Sequence, residues 1–288
     1  MTLTVSWSVL AALALVLVIC FVLPLGLYYA FYRGAEGTLK MFLLGGGAYF
    51  AVRFLAELPV SALLGHFGLL AVPAVNSLYL ALLRPLIFAG IAYAVLRLLG
   101  QEIRTTGHSL MTAAGYVTLQ NIVEVGVVSA GYLVTLWGIR STNGTYTVVS
   151  DADYVSMSDA VSRTDLIPES LFSQMQELCA LPASYFVALG LERLWIIVVH
   201  MAILAVVWLA VSRKDGLPML GAAFGLRALA SLPALLSVWG VLSGGFATAA
   251  VTVLVMLAVC AGAVLCWRRW IDRETVWPQE EETFASAD

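Results

Sequence analysis

The chain is built from long apolar runs separated by short polar joints. Crossing a hydrocarbon layer of about 30 Å takes roughly 20 apolar residues in a helix. Seven runs have that length: Val5–Phe31, Met41–Leu64, Val75–Leu99, Ser109–Trp137, Pro182–Val211, Gly216–Leu242 and Gly245–Trp267. The stretch Gly65–Ala74 is apolar but too short to cross, and reads as a re-entrant or interfacial piece. The first run has no Lys or Arg before it and continues to Phe31, so it predicts a membrane span rather than a cleaved signal peptide. The pattern predicts an all-α integral membrane protein, a polytopic bundle of about seven transmembrane helices.

Composition leads the same way. The 288 residues are 61% hydrophobic and 11% charged, with a mean hydropathy of +0.93. A soluble domain is about half apolar and about a quarter charged. Net charge is −3. No basic patch with interleaved aromatics is present, so a nucleic-acid partner has no support and none is expected. Cys20, Cys179, Cys260 and Cys266 form no C-x-x-C pair, and His66 and His108 have no neighbours at ligand spacing. No metal or cofactor is expected; the bilayer itself is the first partner.

Orientation follows from the basic residues of the joints. Arg33, Lys40, Arg97, Arg104, Arg213, Lys214, Arg268, Arg269 and Arg273 fall on one side, and Arg140 and Arg163 on the other. This places the N-terminus outside and the C-terminus in the cytoplasm, with the protein in the cell membrane. Residues 1–270 form the transmembrane domain. Its outer polar loop, 138–181, holds Asp151, Asp153, Asp159, Asp165, Glu169 and Glu177, and the sequon Asn143-Gly144-Thr145. At the loop's end, Leu171, Phe172, Met175 and Leu178 share a helical face. That face fits either a helix lying on the membrane or a loop packed over the bundle. Residues 271–288 form an acidic cytoplasmic tail with a disordered composition.

Ionisable groups within spans cost about 2.5–3.5 kcal/mol each on insertion scales, and so are usually paired or functional. This chain carries Arg53 and Glu57 in the second span, Arg84 in the third, and Gln120, Asn121 and Glu124 in the fourth. Glu192, Arg193 and His200 lie in the fifth, and Arg227 in the sixth. Arg53 and Glu57 are spaced for an intrahelical ion pair. Four arginines against three glutamates suggest one paired network lining a polar cavity.

The opening ICFVLPLGLYYAFYRGAEGTLKMFLLGGGAYFAVRFLAELP and the stretch from Gly190-Leu191-Glu192-Arg193 to His200 resemble the YhfC family. These are glutamic-type intramembrane-protease relatives, distantly similar to the CAAX-protease and PrsW-like group. The resemblance runs over the helical region, from Val5 to Leu265. It implies chemistry in which a glutamate acts as general base on a water and a histidine steadies the water or the oxyanion. It also implies a third-helix acidic pair followed by arginine, where this chain has Phe88, Ala89 and Ala92. A fourth-helix Gly-His element and glutamate meet Gly115-Tyr116 and Gln120 here. A sixth-helix histidine and Asp or Asn meet Arg227 and Ser231. Glu192, Arg193 and His200 remain, and a shift of four residues would make Glu124 the fourth-helix acid. No residue between Asn76 and Gly100 is acidic.

Three readings follow. In the first, the chain keeps the family's fold but is catalytically degenerate, binding a membrane segment or lipid in a polar intramembrane cavity. In the second it is an active peptidase using Glu124, Glu192 and His200. In the third it is a small-molecule or ion transporter, against which stand spans that look single and uninterrupted.

Overall fold

A computed structural model describes residues 2–34, 38–99, 105–151, 166–242 and 245–273. Helices dominate: α1 Trp7–Arg33, α2 Leu39–His66, α3 Pro73–Leu98, α4 Thr106–Ser141, α5 Glu169–Ala180 and α6 Ala183–Ser212, then α7 Leu217–Ala230, α8 Leu232–Val238 and α9 Gly245–Trp270. Six of them are long and apolar enough to cross a membrane, and α7 with α8 makes a seventh if the bent pair is one span. The polytopic helical architecture read from the apolar runs is therefore present. The acidic tail beyond Arg273 lies outside the described residues, as do Arg104, Arg163 and the loop acids Asp153, Asp159 and Asp165.

Two features depart from the pattern. The sixth span is not uninterrupted, because α7 and α8 meet at a 43° bend. Pro233 sits in the first turn of α8, where its missing N–H breaks the ladder, and the Ser231 hydroxyl donates back to the Arg227 carbonyl. The all-α expectation also omits a small parallel ribbon in the 138–181 loop, β1 Thr147–Val149 beside β2 Leu166–Pro168. The short stretch before α3 is a tight connection, with Gly68 left-handed at φ 67° and one 3₁₀ turn at Leu69–Ala71. Glycine tolerates that backbone without strain.

Four long helices contain π-helical turns: Val18–Val22 in α1, Ala51–Glu57 in α2, Tyr79–Leu83 in α3 and Ile122–Gly126 in α4. Such turns are rare and concentrate at functional positions. Here two of them carry Arg53, Glu57 and Glu124, and a third ends directly before Arg84.

The chain divides into two compact units. The first comprises Met1–Leu23 and Asn121–Leu194. Its core holds Leu13, Val16, Cys20, Leu136, Ile139 and Phe186, capped by Phe172 and Met175 of α5. Phe172 and Met175 of α5 are buried against this core, while Leu171 is exposed. The N-terminal strand is tied to the loop by the Leu3 N–H donating to the Gly144 carbonyl at 2.8 Å. Arg140 lays its guanidinium over the Trp7 ring at 4.0 Å and donates to the Val5 carbonyl at 2.6 Å.

The second unit comprises Pro24–Gln120 and Trp195–Asp288. There α2 and α4 approach at backbone distance. A Cβ on Gly45 would collide with the Thr112 carbonyl, and one on Gly115 with the Phe42 carbonyl. Small residues permit such close helix packing in lipid, where dispersion rather than hydrophobic exclusion holds helices together. The last turn of α9 is closed by Arg213, which donates to the carbonyls of Trp270 at 3.3 Å and Ile271 at 2.5 Å. Burial lowers the Arg213 pKa, and nearby Asp272 pulls it partly back.

Candidate functional sites

The embedded charges fall in three groups, each inside one unit. Of the four arginines and three glutamates, Arg193 pairs with Glu124 and Glu192 in the first unit, Arg53 and Arg84 pair with Glu57 in the second, and Arg227 stands in an aromatic cluster. In the first unit, Arg193 donates to Glu124 at 3.0 Å and to Glu192 at 3.4 Å. The π-helical turn Ile122–Gly126 delivers Glu124, and it packs on the π-helical turn Val18–Val22 that holds buried Cys20. Gly126 takes the Phe21 ring against its backbone, and Gly190 receives Val16 and Ile19. The Arg193 side chain is 11% exposed, Glu124 20% and Glu192 52%. The 124–193 pair is therefore the sheltered one, and Glu192 contributes little energetically. Asn121, one turn before Glu124, is wholly buried, and neither its side-chain nitrogen nor its oxygen bonds a protein group. Buried amides usually do.

In the second unit, Glu57 is shared. Arg53 donates to one carboxylate oxygen at 3.1 Å and Arg84 to the other at 3.4 Å. The predicted intrahelical pair is present, and the partner on α3 is an addition that spacing within α2 could not reveal.

A third cluster, also in the second unit, surrounds His200. Its ring lies 5.8 Å from that of Phe88 and 6.2 Å from that of Tyr116. Phe88 and Tyr116 stand edge-on at 5.6 Å, and Tyr49 meets Tyr116 at 5.4 Å. Arg227 places its guanidinium 5.6 Å from the Phe88 centroid, within cation–π range. The His200 Nδ1 sits 3.2 Å from the Ile196 carbonyl. All five residues are buried, and so is Gln120. Tyr49 is the member the sequence reading missed; its place on the face shared with Gly45 and Val52 was the available signal.

Of the three candidate catalytic residues, Glu124 and Glu192 thus share one guanidinium in the first unit, while His200 belongs to the aromatic cluster of the second. In the first unit, a half-open cavity of about 370 Å³ is lined by Thr4, Ser6, Ser8, Leu136, Cys179 and Pro182. Burial raises the Cys179 thiol pKa, which makes it a sluggish nucleophile. Among the described residues no group of three or more His, Cys, Asp or Glu could hold a metal ion. No family model, no curated protein and no solved structure matches this chain.

Proposed function

We infer that this multi-pass membrane protein is a catalytically degenerate relative of the YhfC-like intramembrane proteases, one that binds a membrane-embedded ligand without cleaving it. The observation that carries the reading is the ring cluster. The positions aligned with the family's third-helix acid, fourth-helix histidine and sixth-helix histidine are Phe88, Tyr116 and Arg227. Phe88 and Tyr116 both meet the surviving His200, and Arg227 lies over the Phe88 ring, all within one buried cluster. Convergence is what shared descent of the site would leave behind, and the substitutions remove its chemistry. Phenylalanine cannot act as a base, and a tyrosine or arginine in a histidine's place offers no imidazole. The carboxylate that could replace the missing acid, Glu124, has its charge engaged by Arg193.

The ligand in this reading is a lipid or a transmembrane segment held at the polar intramembrane residues. The orientation is N-terminus outside and C-terminus cytoplasmic in the cell membrane, supported by the distribution of Lys and Arg.

The test is a cleavage assay in proteoliposomes with a library of labelled transmembrane peptides, read by mass spectrometry. The expected result is retention of peptides in crosslinked complexes with no hydrolysis. Hydrolysis by the wild-type protein that disappears in His200→Ala would overturn the reading.

A further inference from the structure

The Arg53–Glu57–Arg84 cluster has a composition that an internal ion pair does not explain. One carboxylate, almost fully buried at 5% exposure, serves two guanidiniums whose side chains remain 30% and 28% open. Each carboxylate oxygen already accepts from one arginine. The three groups together carry one positive charge.

Their depth makes this charge consequential. Arg53 lies 13 residues from His66, about 20 Å along α2 at 1.5 Å per residue. Arg84 lies 11 residues from Pro73, about 17 Å along α3. Bulk water does not reach that level of a hydrocarbon layer about 30 Å thick. A guanidinium offers five N–H donors in a fixed fork. Arg53 uses one of them on Glu57 and keeps nearly a third of its side chain open. One turn to either side the helix is apolar and exposed: Phe50, stacked on Phe54 at 5.0 Å, and Leu58. An open guanidinium edge flanked by apolar exposed side chains is complementary to one chemical class, an oxyanion carried on an acyl chain.

We propose that Arg53 and Arg84 form a binding site for the carboxylate or phosphate of an anionic membrane amphiphile. Glu57 holds the two guanidiniums apart and oriented, and the acyl chain lies along the exposed face of α2. The ligand's oxyanion accepts from the open edge of Arg53. The amphiphile is the occupant because the apolar flank has no use for a free ion.

The test uses the full chain purified in phosphatidylcholine nanodiscs. Retention of phosphatidylglycerol over phosphatidylcholine is expected to be about tenfold, equivalent to about 1.4 kcal/mol. Arg53→Gln should bring the two lipids to equal retention, and Glu57→Gln should preserve or raise the preference. Oleate should compete, whereas inorganic phosphate at equal concentration should not. A photoactivatable phosphatidylglycerol on the wild-type protein should label α2 between Phe50 and Leu58, which tests the site even if a variant fails to fold. Equal retention by the wild type, an unchanged preference in a folded Arg53→Gln, labelling confined to the helix ends, or competition by inorganic phosphate as strong as by oleate would each overturn the proposal.

Discussion

Removing Arg193 should expose the energetics of the first unit's charge cluster. In Arg193→Leu, Glu124 loses a 3.0 Å partner while its side chain stays four-fifths buried. Stranding one member of a sheltered ion pair costs about 3–5 kcal/mol. The lower end applies because Glu124 keeps some exposure and its other interactions. Glu192, half open, adds little. Glu124→Gln removes the stranded charge, so the double variant should recover more than half of the loss. The assay is reversible unfolding in mixed micelles, followed by helical circular dichroism, across the four proteins of the cycle. Additive losses with no recovery would refute the reasoning, since they would mean that Arg193 acts by packing or through other partners.

Other outcomes follow from the same structure. Gly45→Ala should cost about 1–3 kcal/mol in the same unfolding assay, because its Cβ must displace the Thr112 backbone. Arg213→Ala should cost about 2 kcal/mol and fray α9 in hydrogen exchange, because two end carbonyls lose a charged donor. Cys179 should alkylate more slowly than free cysteine at neutral pH. Its raised pKa keeps the thiol protonated there, so the rate should still be climbing above pH about 9, measured with a maleimide under intact vesicles. In outside-facing vesicles that reagent need not cross the membrane if the loop faces out.

Much of this was legible in the sequence because hydrocarbon imposes one simple rule on long apolar runs. The observed helices start and end within a few residues of the predicted spans; α4 is the largest excess, running four residues past Trp137 to Ser141. The Arg53–Glu57 pair was legible because both residues sit on one helix. Which helix supplies the next partner was not, so Arg84 on Glu57 and Arg193 on Glu124 needed tertiary structure. The break at Ser231 was signalled by Pro233, yet proline is common enough in membrane helices that the signal alone did not decide it. The π-helical turns have no sequence signature. They add a residue per turn and rotate the following side chains, and with them the register of every charged residue downstream. Phe88 and Tyr116 stood out in the sequence only as departures from the resembled family's pattern, and that both meet His200 needed tertiary structure.

In the proposed function, packed rings stand where a water-activating site would be. The chain has three histidines, so an imidazole-labelled sample in lipid bilayers resolves them by solid-state NMR. Water-to-imidazole polarisation transfer should be strong at exposed His66 and absent at His200, whose residue is 5% exposed. Transfer to His200 as rapid as to His66 would place water at the site and contradict the account.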